Sequence, residues 1–367
     1  MSVNRFSQDA AQVALEKFKS RQIDRRSFMT ALAGLGLAAT FKPGAASAEV
    51  SEIVICNWGG AALEAFEKAY GAPFTEATGI EVVVDGAGPS TGAVRAMVES
   101  KNVIWDATDG GMVDATTLGA GGYIEPIDYS IVDKSLVGEG LAAEYGICNY
   151  TFSNVLAYDA TKTGETAPTS WADFFDLEKY PGKRTMCKWI QGQLESVLLA
   201  DGVKPEDMYP LDVDRAFAKL EPLLPEIIFW EGGAQSQQLF RDGEVVMGNI
   251  WHTRANLLRK ENPDFTWTWN QNLLFASAWS VPKGNPAGKK VFDFINSSLQ
   301  PEGQVELLRL MGNGPSNPKA LELMTEEDKA VYALAPENAK NNLPVSAAYY
   351  AENEAELQNR FLDFISR

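Results

Sequence analysis

The sequence predicts an α/β fold with a parallel sheet covered by helices, and three observations lead to this prediction. An apolar run at 52–56 is followed by helical periodicity over 61–78 and then by a second apolar run at 80–84. This order is that of a βαβ unit, whose two strands are parallel. The alternation continues along the chain without an internal repeat. The 367 residues exceed what one hydrophobic core usually holds, so more than one lobe is expected.

The later elements are bounded by turn and capping residues. Gly79 is suited to end the first long helix, and Thr169 or Ser170 to cap the helix that starts near Trp171. Gly243 ends another helix, and Thr325 opens a short one. Further helices are predicted at 91–100, 112–118, 193–199, 214–220, 234–242, 291–299 and 303–310. Further extended segments are predicted at 105–108, 124–128, 149–158, 244–250 and 274–281.

The first 48 residues have the pattern of an export signal. Arg25 and Arg26 form a pair in front of the weakly apolar run 28–41, and Ala46-Ser47-Ala48 provides the small residues of a cleavage site. Paired arginines indicate the twin-arginine type, which leads to cleavage after Ala48, a mature chain of 319 residues and a periplasmic location. The run is shorter than the ~20 residues of a bilayer span. An anchored amphipathic helix is the alternative reading.

The charge of the chain excludes some classes of partner. The net charge is −17 at pH 7, and the leader is basic, so the mature chain is more acidic still. Such a chain is not expected to bind nucleic acid or anionic membrane surfaces. Cys56, Cys148 and Cys187 show none of the spacings of metal, redox or haem motifs. A Cys148–Cys187 disulfide remains open in an oxidising compartment.

Four motifs follow one another along the chain. The first is Asn57-Trp58 after the opening strand, with Thr78-Gly79-Ile80 beyond the helix. The second is 170–174 (SWADF) followed by 180–184 (YPGKR). The third is 233–235 (GAQ) leading into 242–245 (DGEV) and Trp251. The fourth is 279–284 (WSVPKG) with 313–318 (NGPSNP). In this order the motifs resemble those of the periplasmic solute-binding proteins of ABC importers, in the branch of the polyamine-binding proteins, and the resemblance covers nearly the whole mature chain.

The resemblance implies a type 2 periplasmic binding fold, with two α/β lobes and a ligand cleft between them. One lobe would hold 49–150 and 277–316, and the other 151–276 and 317–367. The crossing segments would lie near 149–153, 276–280 and 315–317. The implied mechanism is that of a Venus flytrap: the lobes close on a small-molecule solute, and the closed form docks on a membrane permease. A monomer is usual for this family.

The resemblance also implies a set of ligand-binding residues. Trp58 and Trp251 match two tryptophans that pack on the apolar part of the ligand, and Phe275 matches a third aromatic position. Arg254 is expected either to pair with a ligand carboxylate or to support the hinge. The other expected site residues are Gly59, Ser90, Thr91, Gly110, Gly111, Ser277 and Asn313.

Polyamine-binding proteins hold the ammonium groups of their ligands with acidic residues. This chain has other residue types at the matching positions. Those positions fall on Trp189, Gly192 and Ser277, none of them acidic. Because a buried ammonium group needs a partner, spermidine and putrescine are disfavoured as ligands. Asp85, Asp109 or Glu231 could replace one anchor, and with Arg254 or Lys188 would suit a zwitterion. The expected ligand is therefore a small organic amine, a zwitterion or an amino-acid-like solute.

An exported enzyme is the alternative function. His252 is the only histidine, so histidine clusters that bind metals are excluded, and a Ser-His-Asp triad would have to use it. The chain has no Walker loop and no GxGxxG after a strand; the glycine-rich 118–123 follows a helix and is predicted to end it. A pair of carboxylates for hydrolysis remains possible in an acidic chain. No catalytic residue, metal or cofactor is predicted.

Overall fold

The computed structural model describes residues 50–367. The predicted leader, its twin arginines and its cleavage site lie outside these residues. The described chain forms one mixed sheet of 11 strands with helices on it. The strands are β1 (Glu52–Cys56), β2 (Glu81–Asp85), β3 (Ala107–Gly111), β4 (Ile124–Glu125), β5 (Ile147–Asp159), β6 (Arg184–Cys187), β7 (Ile227–Trp230), β8 (Met247–Trp251), β9 (Phe265–Pro282), β10 (Gly314–Pro315) and β11 (Leu343–Pro344).

Helices cover the sheet, and most of them lie where the sequence predicts a helix; those at His252–Glu261 and Ala347–Ile365 are not among the predicted helices. They are α1 (Ala61–Phe66), α2 (Ala72–Thr78), α3 (Thr91–Glu99), α4 (Met112–Ala120), α5 (Trp171–Phe175), α6 (Gln193–Ala200), α7 (Val213–Leu220), α8 (Gly233–Arg241), α9 (His252–Glu261), α10 (Lys290–Ser298), α11 (Pro301–Met311), α12 (Glu326–Ala330) and α13 (Ala347–Ile365). None of the helices within residues 50–367 combines the length and the apolar character of a membrane span.

Two long antiparallel strands, β5 and β9, organise the sheet. The strand order is β2-β1-β3-β9-β5-β8-β6-β7, so β5 and β9 stand in the middle. On one side of them β3, β1 and β2 pair in parallel, and on the other side β8, β6 and β7 do so. The two sides are called here the β1 side and the β8 side. Each long strand runs from one side to the other, as the crossing segments of a two-lobed protein do.

The first βαβ unit forms as predicted, with one local difference. Between α1 and α2 the helix widens to a π turn over Glu67–Gly71, and Pro73 falls in the first turn of α2, where a missing N–H costs no hydrogen bond. Gly79 ends α2 with φ 74°, which is the left-handed conformation that glycine adopts readily.

Strand β3 begins later than the sequence predicts. The sequence predicts an extended segment at 105–108, whereas the strand spans Ala107–Gly111. Trp105 and Asp106 are instead used as side-chain links: the Trp105 indole donates to Asp85, and Asp106 accepts from the backbone N–H of Val54. The carboxyl end of β3 therefore carries Gly110 and Gly111.

Each side of the sheet has its own hydrophobic core. On the β1 side, Ile53, Phe66, Trp279 and Phe294 belong to one buried cluster. On the β8 side, α5, α6 and α13 bury one face of the sheet, and Trp230 with the helices α8 and α9 buries the other. The first of these clusters includes Trp171, Tyr180, Leu194, Met247 and Phe361, and the second includes Val155, Phe240, Ile250 and Leu258.

The three cysteines are free and buried, so the Cys148–Cys187 disulfide does not form in this structure. Cys148 lies on β5 and donates to the carbonyl of Tyr150, whereas Cys187 lies on β6, beyond β8 in the strand order. Burial raises the pKa of Cys56 and of Cys148 to about 12, so these thiols stay protonated and unreactive at neutral pH.

Candidate ligand-binding site

An aromatic surface lies where β5 and β9 pass from the β1 side to the β8 side. Phe152 and Phe275 are directly opposite each other in the register, and their rings stack at 5.0 Å with an interplanar angle of 10°. Directly paired residues point to the same face of a sheet. Trp251 ends β8 opposite Asn154, and its ring lies 6.2 Å from Phe152. These four residues form one surface, called here the floor.

Trp58 approaches the floor from the β1 side of the sheet. It stands in the loop after β1, is 38% exposed, and its ring centre lies 5.9 Å from that of Trp251. Trp251 is supported from behind by the buried Trp230, at 5.1 Å. The two predicted tryptophans therefore come together from opposite sides of the sheet, and Trp58 is not part of the hydrophobic core.

Asn57 shapes the loop that presents Trp58. Its side-chain oxygen accepts from the N–H of Gly59, and its amide group donates to the carbonyl of Ala62. Its backbone oxygen accepts from Gly88, which draws the loop before α3 to the same edge. There Ser90 caps α3 by accepting from Ala93, so its hydroxyl acts as a cap, as expected, and Thr91 is half-buried. Both lie on the β1 side, and neither has a ring contact with the floor.

Arg254 is buried without a partner. It lies on α9, three residues after Trp251, and only 3% of it is exposed. Its Nε is buried with no acceptor, and none of the hydrogen bonds and ion pairs found within residues 50–367 uses its guanidinium. Burial lowers the pKa of Arg254, although a nearby Tyr150 hydroxyl acts in the opposite direction. A buried cation without an anion is costly, so this site is suited to receive one.

The surroundings of Arg254 add to its positive potential and leave it room. Helix α8 begins at Gly233, against the Arg254 Nε, where any side chain would clash with the guanidinium. The positive end of that helix dipole therefore points at the same place. From the other side, Gly60 of the Trp58 loop would bring a Cβ within 3.8 Å of Nη1. Arg254 thus lies between the start of α8 and the loop that carries Trp58.

Asp109, at the end of β3, is already satisfied. It accepts from the Asn149 amide at 2.8 Å, the Tyr150 hydroxyl at 3.0 Å and the Ser277 hydroxyl at 2.8 Å. Complete burial raises its pKa to about 7 against these three donors. Ser277 also contacts the carbonyl of Gly110. Two predicted ligand residues, Ser277 and Gly110, are therefore joined to this network, which ties β3, β5 and β9 together.

The other acidic residues proposed as anchors are engaged as well. Asp85 accepts from the Trp105 indole at 2.7 Å and from the N–H of Ala87. Glu231 pairs with Lys188 at 2.5 Å on the surface. Neither carboxylate is free to hold an ammonium group, so the expectation that one of them replaces a polyamine anchor is not supported by their contacts.

Sequence reasoning missed two carboxyl groups near the floor. Asp114, three residues after Gly111 on α4, accepts from the Gly111 N–H at 3.0 Å. Glu354, on α13, accepts from Gln191 at 2.5 Å. Burial raises the pKa of Asp114 to about 6, with a further contribution from the charge of Glu354, and burial also raises the pKa of Glu354. Asp114 could have been chosen as a candidate from the sequence, because it follows the end of β3 closely. Nothing in the sequence points to Glu354.

Two more residues complete the comparison with the sequence. Asn313, before the short strand β10, is buried, and its side-chain oxygen has no partner.

His252 does not line the floor. It is fully buried, accepts from the Ser153 N–H at 2.9 Å and contacts the Gly312 carbonyl at 2.7 Å through Nε2. Burial lowers its pKa to about 4, so the neutral ring joins α9, β5 and the end of α11.

Comparisons with known proteins agree with this architecture. The model of the family described as bacterial extracellular solute-binding protein matches residues 69–339. The gamma-aminobutyric acid-binding protein of Pseudomonas aeruginosa is 34% identical over 345 residues, which is 92% of this chain and 96% of that protein.

Solved structures show the same likeness. The structure of the GABA receptor Atu4243 superposes with a TM-score of 0.78 at 33% identity, covering 86% of this chain and 97% of the receptor. The periplasmic binding protein AgtB of A. tumefaciens R10, solved with agropinic acid, superposes with a TM-score of 0.81 at 31% identity, covering 86% and 99%. An ABC transporter substrate-binding protein from Bradyrhizobium japonicum USDA 110 superposes with a TM-score of 0.80 at 34% identity, covering 86% and 99%. The predicted two-lobed α/β fold is thereby confirmed.

Proposed function

The chain belongs to the family of bacterial extracellular solute-binding proteins, and on that premise we propose that its solute is a small amino acid such as 4-aminobutyrate, bound through its carboxylate by Arg254. The family membership confirms the resemblance drawn from the sequence. The relatives are substrate-binding proteins of ABC transporters, so the protein is a binding component of such a transporter and not an enzyme.

The single observation that carries the proposal is the unpaired guanidinium of Arg254. It is buried, lies against the start of α8, and follows Trp251 by three residues on α9. A carboxylate can accept two parallel hydrogen bonds from a guanidinium, which makes an acid group the complementary ligand. A sugar or a metal ion would leave this charge uncompensated.

The floor suits a short chain of methylene groups. Phe152, Phe275 and Trp251 offer an apolar surface, and Trp58 approaches it from the β1 side. Flat aromatic faces also attract cationic groups, by ~0.5–2 kcal/mol per contact. The named ligand of the relative from Pseudomonas aeruginosa is an amino acid of this kind. A polyamine, by contrast, would bring a second cation towards Arg254.

The remaining parts of the function are proposals as well. The protein is exported by the twin-arginine machinery, cleaved after Ala48, and acts as a monomer in the periplasm. Its lobes comprise 49–150 with 277–316, and 151–276 with 317–367. They close on the solute, with Trp58, Gly59, Gly111, Trp251, Arg254 and Phe275 lining the cleft, and deliver it to a membrane permease.

Calorimetric titration of residues 49–367 with 4-aminobutyrate tests the proposal. We expect saturable binding, and at a ligand concentration 100-fold above Kd the protein should gain ~2.7 kcal/mol in stability. Replacing Arg254 by Gln should weaken binding by about 100-fold, since a buried charged hydrogen bond is lost. Butyrate should bind weakly and putrescine should not bind.

Arg259→Gln is the matched control. Arg259 lies on the same helix but stacks on Trp267, with the guanidinium 3.9 Å from the ring centre, away from the floor. This variant should bind as the wild type does. Tight binding of putrescine, or equal binding by Arg254→Gln and the wild type, would contradict the proposal.

A further inference from the structure

The cleft contains two groups of opposite charge that lack a partner of opposite sign. Arg254 has no anion, and Asp114 and Glu354 have no cation among the ion pairs of residues 50–367. Asp114 comes from the β1 side on α4, and Glu354 from the β8 side on α13. These two helices are in contact, and Val113 packs into the cluster that includes Tyr350 and Leu357 of α13. A carboxyl group from each side of the sheet therefore lies in the same region, near enough for the charge of Glu354 to act on Asp114.

The nearby charged groups do not neutralise this pair. On the loop after β6, Lys188 is engaged with Glu231. On β3, Asp109 is another carboxyl group, and behind α13 the buried Glu195 accepts from Tyr209 and Tyr350. Among the hydrogen bonds of residues 50–367, Asp114 accepts from the backbone N–H of Gly111 and Glu354 from the side-chain amide of Gln191, and neither accepts from a cationic group. The pair is an anionic site that is left without a cation.

A buried, unpartnered acceptor on the floor independently indicates a donor ligand. Asn154 is 2% exposed, and its side-chain oxygen has no partner. It stands opposite Trp251 and against Gly192, where φ is +78° and a Cβ would lie 2.8 Å from Phe275 and 2.9 Å from the Asn154 amide nitrogen. Gly192 follows Gln191, the residue that donates to Glu354. A ligand with several N–H donors at this end of the floor would satisfy Asn154 as well as the carboxyl pair.

We propose that Asp114 and Glu354 hold the ammonium group of the solute, while Arg254 holds its carboxylate across the aromatic floor. This inference rests on the proposed function and adds the substrate class. The floor lies between Arg254 at one end and the two carboxyl groups at the other. Along it, the ring centres of Trp251 and Phe152 are 6.2 Å apart, and those of Phe152 and Phe275 are 5.0 Å apart. The solute must therefore separate its charges by several methylene groups, which favours ω-amino acids over α-amino acids.

The subsite has a thermodynamic signature. A group with a folded-state pKa of about 6 is half protonated at pH 6, and a bound ammonium stabilises the ionised form. Ligand binding at pH 6 should then release about half a proton from Asp114, with more from Glu354. The affinity should accordingly rise as the pH rises from 5 to 7. Asp109, whose pKa is about 7, is the other buried acid in the region and must be distinguished.

The experiment is calorimetric titration with 4-aminobutyrate at pH 6 in two buffers of different ionisation enthalpy, which gives the number of protons released. We expect net release in the wild type. Asp114→Asn and Glu354→Gln should each weaken binding by about 10- to 100-fold and reduce the release. Glycine should bind at least 100-fold more weakly than 4-aminobutyrate to the wild type.

Matched controls separate the possible outcomes. Glu195→Gln removes a buried carboxyl group outside the cleft and should leave affinity and proton release unchanged. If the release persists in Asp114→Asn and Glu354→Gln but disappears in Asp109→Asn, the ammonium is held at Asp109 and the inference is wrong. Unchanged affinity in both cleft variants would also overturn it while leaving the proposed function standing. A wild type that binds no 4-aminobutyrate would overturn both.

Discussion

Two buried arginines on the β8 side show how differently the same side chain can be used. Arg184, at the start of β6, has no exposed surface and donates to four backbone carbonyls, those of Phe174, Asp176, Tyr180 and Gly182. Arg254 is almost as buried, and it donates to no group within residues 50–367. A satisfied buried polar group stabilises its surroundings, whereas an unsatisfied one destabilises the free protein and stabilises a complex. Burial therefore does not distinguish the two arginines, whereas their hydrogen bonds do.

The largest expected effect is on the satisfied arginine. Arg184→Gln should lower the free energy of unfolding by about 3 to 5 kcal/mol, because four buried carbonyls lose their donor at ~1 kcal/mol or more each. Chemical denaturation measures this loss. Ligand affinity of the folded fraction should be unchanged. A stable Arg184→Gln variant with weak binding would reverse the assignment of the two arginines.

His252 tests whether a satisfied residue next to the floor behaves as Arg184 does. Its folded-state pKa of about 4 lies below the ordinary value of 6.5, so the folded protein keeps the ring neutral. The unfolded chain binds more protons between pH 4 and 6.5, and stability is therefore complete above pH 6.5 and lost as the pH falls towards 4, by up to about 3 kcal/mol.

The measurement for His252 is the difference in unfolding free energy between the wild type and His252→Gln across pH 4 to 7. This difference should shrink as the pH falls, since the variant lacks the titrating ring. The buried Asp109 and Asp114 shift stability in the opposite direction, but they are present in both proteins and cancel in the difference. A difference that is constant with pH would show that His252 titrates normally.

Replacing Arg254, the arginine without a partner, should weaken ligand binding and leave stability intact, the opposite of what is expected for Arg184. Arg254→Met should leave the unliganded protein as stable as the wild type, or more stable by about 1 kcal/mol, because a buried charge is replaced by an apolar chain of similar length. Affinity for 4-aminobutyrate should fall by 100-fold or more. Denaturation without ligand and calorimetry with ligand measure the two quantities. A loss of several kcal/mol without ligand would indicate a hinge role for Arg254.

The sequence was sufficient for the parts that depend on local pattern. The βαβ alternation, the helix stop at Gly79 and the placement of Trp58 and Trp251 after strands β1 and β8 follow from periodicity and motifs. The family membership came from four motifs in order. What local pattern could not supply is which polar groups are already engaged, since partners such as Asn149 and Ser277 of Asp109 are far away in the chain.

The carboxyl pair illustrates the same limit. Asp114 and Glu354 are far apart in the sequence and come near each other only because α13 packs against α4. Conversely, Asp85 and Glu231 are attractive in the sequence, but the fold engages each with another residue. The expectation for β3 failed for a related reason, since Asp106 links backbone N–H groups and does not join the strand.

The smallest expected effect is on Trp58, which differs from the buried Trp279 as Arg254 differs from Arg184: one residue is proposed to bind the ligand and the other supports the fold. Trp58 is 38% exposed and contacts only Trp251 among the ring contacts of residues 50–367, whereas Trp279 is fully buried among Phe66, Tyr70 and Phe294. Trp58→Ala should weaken binding of 4-aminobutyrate by about tenfold, through loss of a cleft-closing aromatic face worth ~1 kcal/mol, with less than ~0.5 kcal/mol lost in stability. Trp279→Phe should lower stability without changing the affinity of the folded protein. Calorimetry and denaturation of both variants decide this, because equal stability losses in the two would mean that Trp58 supports the fold and does not close the cleft.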